Sequence, residues 1–296
     1  MSAAQTEKLH PKSPGLDLAE DREVLGILLA AQVEAVQSVS QSIPDLAKGA
    51  GAMAKAIQSG GTLVYAAAGS SGLMGLADGL EIPPTFGVPN AQIRILRAGG
   101  LEDMSVPKGS AEDDEEAARN DAEGITERDC VICLAASGNT PYAVAIMEYA
   151  KSVGAVTIGI SNNTGARLLE ADIPIHLSTP PEVIAGSTRL GAGSAQKIAL
   201  NMMSTLMGIR LGHVLDGRMV NMVANNHKLR GRAENMVMEI TGCARAVASA
   251  KLDLAGGGVK EAALLARGAR DLIHARELLT ASEQNLRTAL LKIDAG

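Results

Sequence analysis

Between residues 62 and 177, short apolar runs alternate with longer segments of helical spacing. The runs are Leu63–Ala68, Ile93–Ala98, Cys130–Ala135, Val156–Ile160 and Ile173–Leu177. Leu63–Ala68 and Cys130–Ala135 are apolar at consecutive positions rather than at every second one, so both of their faces are expected to be buried, as in a parallel sheet covered by helices. The segments between them predict helices over Gly72–Leu80, Glu112–Gly124 and Pro141–Val153, and a long helix Gly193–Leu211 follows the fifth run. Glycines close the elements at Gly60-Gly61, Gly99-Gly100, Gly154 and Gly212. Strand and helix in alternation give an α/β fold with a five-stranded parallel sheet. Ligands of such sheets bind at the carboxyl ends of the strands.

The flanks read differently. Residues 1–20 are polar, contain Pro11 and Pro14, and read as an extended arm. Asp21–Gln41 is apolar at Val24, Leu25, Leu28, Val33, Val36 and Val39, and Pro44–Ser59 at Leu46, Ala50, Met53 and Ile57. Both are helical spacings. From Val214 onward the patterns are helical only: Asp216–Ala233, Glu234–Ile240, Ala244–Leu254, Val259–Arg267 and Ser282–Leu291. This divides the chain into an N-terminal arm with helices (1–55), an α/β domain (56–213) and a small helical region (214–296).

Two strand ends carry candidate chemistry. The first strand runs into Ala66-Ala67-Ala68-Gly69-Ser70-Ser71-Gly72, the third into Ala135-Ala136-Ser137-Gly138-Asn139-Thr140-Pro141. Small residues let an anion approach the backbone, N–H groups at the following helix start point at it, and hydroxyls add donors. Neither loop carries the Lys of a P-loop. Two such loops in one domain point to a phosphorylated small molecule rather than a nucleotide. A third small-residue loop, Ala185-Gly186-Ser187-Thr188-Arg189, enters the long helix; Ser187 and Thr188 can donate, and Arg189 can pair with a carboxylate or phosphate. Lys197 reads as solvated or structural.

Composition narrows the partners. With one Phe, three Tyr and no Trp, the chain offers nucleic-acid bases almost nothing to stack on. A net charge of −6 disfavours phosphate backbones and anionic membranes. The N-terminus Met1-Ser2-Ala3-Ala4-Gln5 lacks an apolar signal core, and no run reaches the ~18 apolar residues of a membrane span, so a cytoplasmic protein is expected. Cys130-x-x-Cys133 lies inside a strand pattern, where thiols behave as small hydrophobes, and Cys243 stands apart. The histidines His10, His176, His213, His227 and His274 are scattered, so neither a metal nor another cofactor is expected.

Two carboxylates remain. Glu81, between Leu80 and Ile82 and ahead of Pro83-Pro84, reads as partly buried at a helix end, where burial would raise its pKa and suit an acid, or else as a surface residue. Glu112 opens the run Glu112-Asp113-Asp114-Glu115-Glu116; by pattern alone this is an acidic first helical turn favouring the helix dipole.

Taken together, the two serine loops, Glu81-Ile82-Pro83-Pro84-Thr85-Phe86-Gly87, Ala98-Gly99-Gly100, Ala111-Glu112-Asp113, Gly186-Ser187-Thr188-Arg189, Ala195-Gln196-Lys197 with Leu200-Asn201-Met202, and Thr241-Gly242-Cys243 resemble the sugar isomerase (SIS) domain proteins. Within them the order and spacing are most similar to the N-acetylmuramic acid 6-phosphate etherases, from about residue 5 to 245 and more loosely beyond. The resemblance implies a SIS-type three-layer αβα sandwich with N-terminal helices and a small C-terminal helical domain. It implies cleavage of a lactyl ether by a lyase of peptidoglycan recycling, with a homodimer whose sites lie near its interface. It also implies that Glu81 and Glu112 are catalytic, Glu81 as proton donor and Glu112 as base or its partner. Ser70, Ser71, Ser137, Asn139 and Thr140 would hold the 6-phosphate, with Ser187 and Arg189 also binding substrate. Another SIS phosphosugar isomerase, or a non-catalytic sugar-phosphate-binding regulator, would not need both glutamates. The chain departs from the family pattern at Leu80, Ile82 and Gly191, where the family carries Ser, Cys and Lys, and around Pro107-Lys108.

Overall fold

The apolar runs form strands β1 (Leu63–Ala67), β2 (Ile93–Arg97), β3 (Cys130–Ala135), β4 (Val156–Ser161) and β5 (Ile173–His176). They pair in parallel in the order β2-β1-β3-β4-β5. The computed structural model describes residues 5–101, 109–222 and 227–294, so Pro107-Lys108 lies outside the described residues. By compactness the chain forms two units, residues 1–80 with 90–204, and residues 81–89 with 205–296.

In the first unit, helices α1 (Asp21–Ser38) and α2 (Ile43–Gln58) precede the sheet. Then come α3 (Gly69–Phe86), α4 (Glu115–Asp121), α5 (Pro141–Ser152) and α6 (Gly191–Arg210), of which α3 and α6 run on into the second unit. Strand alternation divides the core. Val64, Ala66, Val131, Cys133 and Ala135 pack with α4 and α5 residues such as Ala118, Tyr142 and Ile146. Leu63, Tyr65, Ile132, Leu134 and Ile158 are buried too and alternate with them. On that side glycines bring helices close: Gly75 and Gly79 of α3 lie over Tyr65, and Gly49 of α2 lies under Met203. Cys130 and Cys133 are free and buried, and burial pushes the Cys130 thiol up to about 12, as expected of structural thiols.

The second unit holds a short hairpin, β6 (Val214–Leu215) and β7 (Arg218–Met219), then helices α7 (His227–Thr241), α8 (Arg245–Leu254), α9 (Val259–Arg267), α10 (Leu272–Thr280) and α11 (Leu286–Asp294). Val237, Leu252, Val259, Leu264 and Leu279 form its core.

Three sequence expectations change. The helix expected over Asp216–Ala233 begins instead as the hairpin. Asp216 (φ 46°) and Gly217 (φ 75°) both take positive φ between two paired residues, the two-residue Asp-Gly turn that matches strand twist. His227–Ala233 and Glu234–Ile240 belong to one helix, α7. Helix α10, not anticipated, starts at Asp271, whose carboxylate accepts from the His274 N–H at 2.7 Å. Helix α3 does not stop at Leu80 but carries Pro83 and Pro84 inside it, and ends where Gly87 (φ 65°) closes on the Pro83 carbonyl at 2.8 Å.

The second unit buries Lys260 and half-buries His213. Lys260 donates to the Gln284 carbonyl at 2.9 Å, and burial, opposed by Glu261, holds its pKa at about 8. His213 is pushed to about 4 by burial and by Lys260, against a hydrogen bond to the Phe86 carbonyl. The unfolded chain takes up a proton on His213 near 6.5 that the folded chain refuses until about 4. Stability is therefore fully present above pH 6.5 and falls between 6.5 and 4, by on the order of 3 kcal/mol. Urea midpoints measured across that window should show this fall in the wild type and a shallower one in His213→Gln.

Candidate active site

Strands β1 and β3 are neighbours, and the strand order reverses between them. The two serine loops therefore leave the carboxyl edge of the sheet side by side, at the point where ligands of doubly wound sheets bind. In the first loop, Gly69 takes φ 50° and α3 begins at once. Ser70 is half-buried. Ser71 is buried and donates its hydroxyl to Oε1 of Gln196 on α6 at 2.8 Å. Gln196 Nε2 in turn donates to Asn162 Oδ1 at 3.0 Å, and Asn162 Nδ2 to Thr179 Oγ1 at 3.2 Å. Ser71, anticipated as a phosphate donor, thus has its proton committed to Gln196 and anchors the loop from below.

The second loop turns at Gly138 (φ 69°), where a β-carbon would lie 2.2 Å from Ser161 Oγ and 2.4 Å from Ala166 Cβ, so only glycine fits. Ser137 is exposed and accepts from the Asn139 N–H at 3.2 Å. Asn139 Oδ1 accepts from the Arg167 N–H at 2.9 Å, fixing the loop to the chain after β4. Thr140 is the N-cap of α5, yet its hydroxyl caps no backbone N–H; it lies 3.4 Å from Ser137 Oγ. Ser137 and Thr140 are left as donors at a helix start whose first N–H groups have no partner within the helix.

The acidic run is sorted by its surroundings. Glu112 is not in α4 but in the 3-10 turn Gly109–Asp113 before it. A β-carbon at Gly69 would lie 4.0 Å from Glu112 Oε2, so this carboxylate stands beside the first serine loop. Asp114 caps α4, accepting from the Ala117 N–H at 2.8 Å, and Glu115 pairs with Arg119 at 2.7 Å. Of the two readings of Glu81, the structure gives the surface one. It is exposed together with Leu80, 60% exposed, while Ile82 on the next position of the helix faces inward. Glu81 belongs to the second unit and Glu112 to the first.

Ser187 and Arg189 lie on the loop entering α6. That entry is capped by a buried carboxylate with no counterpart among the sequence candidates: Glu182 accepts from the Gly191 and Ala192 N–H groups at 2.9 and 2.8 Å. At Gly191, a β-carbon would come within 2.9 Å of Ala35 Cβ and 3.2 Å of Glu182 Oε2, so the backbone sits where a side chain would crowd it. Arg189, with Met74, Ser194, Lys197 and Val33, lines a cavity of about 500 Å3; the serine loops do not line it. Among the described residues no His, Cys, Asp and Glu group is placed to hold a metal ion.

The SIS domain family matches residues 101–207. The N-acetylmuramic acid 6-phosphate etherase of Geobacillus thermodenitrificans is 41% identical over 288 residues, covering 96% of this chain and 98% of its own. The etherases of Deinococcus radiodurans and Actinobacillus pleuropneumoniae are 38% and 35% identical, covering 94% and 98% of this chain and 96% and 97% of theirs. Among solved structures, the c3406 protein of E. coli CFT073 superposes with a TM-score of 0.51 at 13% identity, covering 67% of this chain and 97% of its own, a likeness of fold.

The Glu182 cap has a direct test. Glu182→Ala leaves two amides at the α6 start without an acceptor and should cost about 2–3 kcal/mol of unfolding free energy, read from urea midpoints. A loss of a few tenths of a kcal/mol would mean that water replaces the carboxylate.

Proposed function

The chain belongs to the family of N-acetylmuramic acid 6-phosphate etherases, and we propose that it cleaves the D-lactyl ether of N-acetylmuramic acid 6-phosphate, giving N-acetylglucosamine 6-phosphate and D-lactate. The observation that supports this most is the placement of Glu112 beside Gly69, next to the paired serine loops. A phosphate held on Ser70, Ser137, Asn139, Thr140 and the open N–H groups of α5 would set the sugar against that carboxylate.

The chemistry follows from the substrate. Ring opening gives an aldehyde that acidifies the C2 proton. Glu112 takes that proton, Glu81 protonates the departing C3 ether oxygen, and D-lactate leaves. Water then adds at C3 of the unsaturated aldehyde. Two-carboxylate catalysis of this kind uses one carboxyl as the acid and the other as the base. Ser187 and Arg189 bind the remaining polar groups, with Arg189 suited to the lactyl carboxylate.

The exposed face of α1 supports a homodimer. Leu25 and Leu29 are 66% and 67% exposed, Val33 follows at the same spacing, and Ala35 is the residue of α1 that is buried. An apolar stripe of this kind on a soluble protein is normally covered. By length and composition Asp21–Gln58 could also cross a membrane; the charges of Asp21, Arg22, Glu23, Glu34 and Lys48 along it favour a second copy of the chain.

Substituting each acidic residue of 112–116 singly with its amide should give an uneven result. Glu112→Gln should lose D-lactate release by about 10²–10⁴-fold, as should Glu81→Gln. Asp114→Asn and Glu115→Gln should keep turnover and lose at most about 1 kcal/mol of stability through the cap and the helix dipole. Equal behaviour of all five amides would remove Glu112 from the reaction. Leu25→Glu with Leu29→Glu should turn a dimeric mass in light scattering into a monomeric one; a wild-type monomer with full activity would refute the dimer.

A further inference from the structure

The polar N-terminal arm has the composition of a free tail, yet it is fastened to the carboxyl edge of the sheet. Thr6 is 4% exposed and each of its polar atoms is engaged. Its N–H donates to Asn163 Oδ1 at 3.2 Å, its hydroxyl accepts from Asn163 Nδ2 at 3.0 Å, and its carbonyl accepts from the Gly186 N–H at 3.1 Å. Asn163 Nδ2 also donates to the Ala136 carbonyl, the residue before Ser137, at 3.3 Å. Further along the arm, Ser13 donates its hydroxyl to the Val183 carbonyl at 2.7 Å.

One residue thus touches the supports of two loops that are far apart in sequence. Asn163 holds the base of the Ser137–Thr140 loop. Gly186, with φ 75°, is the exposed turn that leads into Ser187 and Arg189. Within that turn the Ser187 N–H donates to the Ile184 carbonyl and the Thr188 N–H to the Gly186 carbonyl, both at 2.9 Å, and the Leu190 and Gly193 N–H groups donate to the Ser187 and Thr188 carbonyls at 3.1 and 2.8 Å.

We propose that Thr6 is a positioning residue for the phosphosugar site, acting through Asn163 and Gly186 to hold the Ser137–Thr140 and Ser187–Arg189 loops in the arrangement that binds substrate. For its ligand this rests on the etherase reading; for its geometry it does not. Thr6 is assigned no contact with substrate. Its effect is on the fraction of molecules whose loops are set for binding, and that fraction multiplies the apparent affinity. A lost tie should therefore raise KM and leave kcat nearly unchanged.

The test compares Thr6→Val, which keeps the shape and removes the hydroxyl, with Thr6→Ser, which keeps the hydroxyl. Amide hydrogen exchange is read over residues 136–140 and 184–188, together with KM and kcat for D-lactate release from N-acetylmuramic acid 6-phosphate. Thr6→Val should speed exchange over 136–140 and raise KM, each about fivefold, as expected for one lost hydrogen bond, and should speed exchange over 184–188 by less, because the Thr6 carbonyl that holds Gly186 remains. kcat should stay within about twofold, exchange in β1 and β3 should not change, and Thr6→Ser should restore both readouts. Ser13→Ala, which loosens the arm without stranding Asn163, should move both in the same direction by less, and it carries the test if Thr6→Val does not fold. Unchanged exchange in both segments overturns the proposal whatever the substrate, as does faster exchange with an unchanged KM. Absence of lactate release by the wild type would overturn the etherase reading, with the exchange data still deciding whether Thr6 ties the loops.

Discussion

The parallel pairing of β1 with β3 is the constraint on which the site depends. Ala67 lies opposite Leu134, so the chains that leave these strands start from adjacent positions, about 5 Å apart as strand spacing requires. Because β2 extends the sheet on one side and β4 on the other, the crossovers diverge at this point and leave a crevice between the loops. Both loops turn on glycines with positive φ, Gly69 and Gly138, and both deliver a helix start at once. Helix starts and hydroxyls of both loops thus lie at one edge of the sheet, the arrangement on which the proposed phosphate site rests.

Beneath that crevice the protein uses buried hydrogen bonds where aromatic packing is scarce. A core built with one Phe and three Tyr fills space with small aliphatic side chains, which fit in many ways and specify geometry weakly. The polar chain Ser71–Gln196–Asn162–Thr179 has a single satisfying arrangement, since each unmade bond would leave a buried group unpaired. A second cluster, in which Asp78 accepts from Tyr65, Asn201 and Ser204, locks α3 to α6 in the same way. The burial that makes these bonds specific, with the Asp78 charge beside it, raises the Tyr65 pKa far above its ordinary value.

The carboxylates show how one residue type is divided by context. Asp114 and Glu115 serve the helix they begin, and Glu182 serves the start of α6. Glu112, two residues before Asp114, is outside the helix and turned to the serine loop. Two positions along the chain separate a cap from a candidate catalytic group, because the 3-10 turn changes the direction in which the side chain leaves the backbone.

By itself the sequence determined the five strands, their parallel pairing and the two serine loops, because apolar runs and small-residue loops are local signals of burial and of close approach. It also marked Glu81 and Glu112, through family order and spacing rather than local pattern. Asp216-Gly217 and Asp271 were legible as a hairpin turn and a helix cap, but lay among residues whose helical periodicity dominated the reading. Only the tertiary structure decided that Ser71 faces inward to Gln196, that Glu81 is exposed, and that Glu182, Asn162 and Asn163 support the site. Thr6 is the clearest case: its partners Asn163 and Gly186 are more than 150 positions away. No local pattern can encode a hydrogen bond whose donor and acceptor meet only after the sheet has brought distant strand ends to one edge.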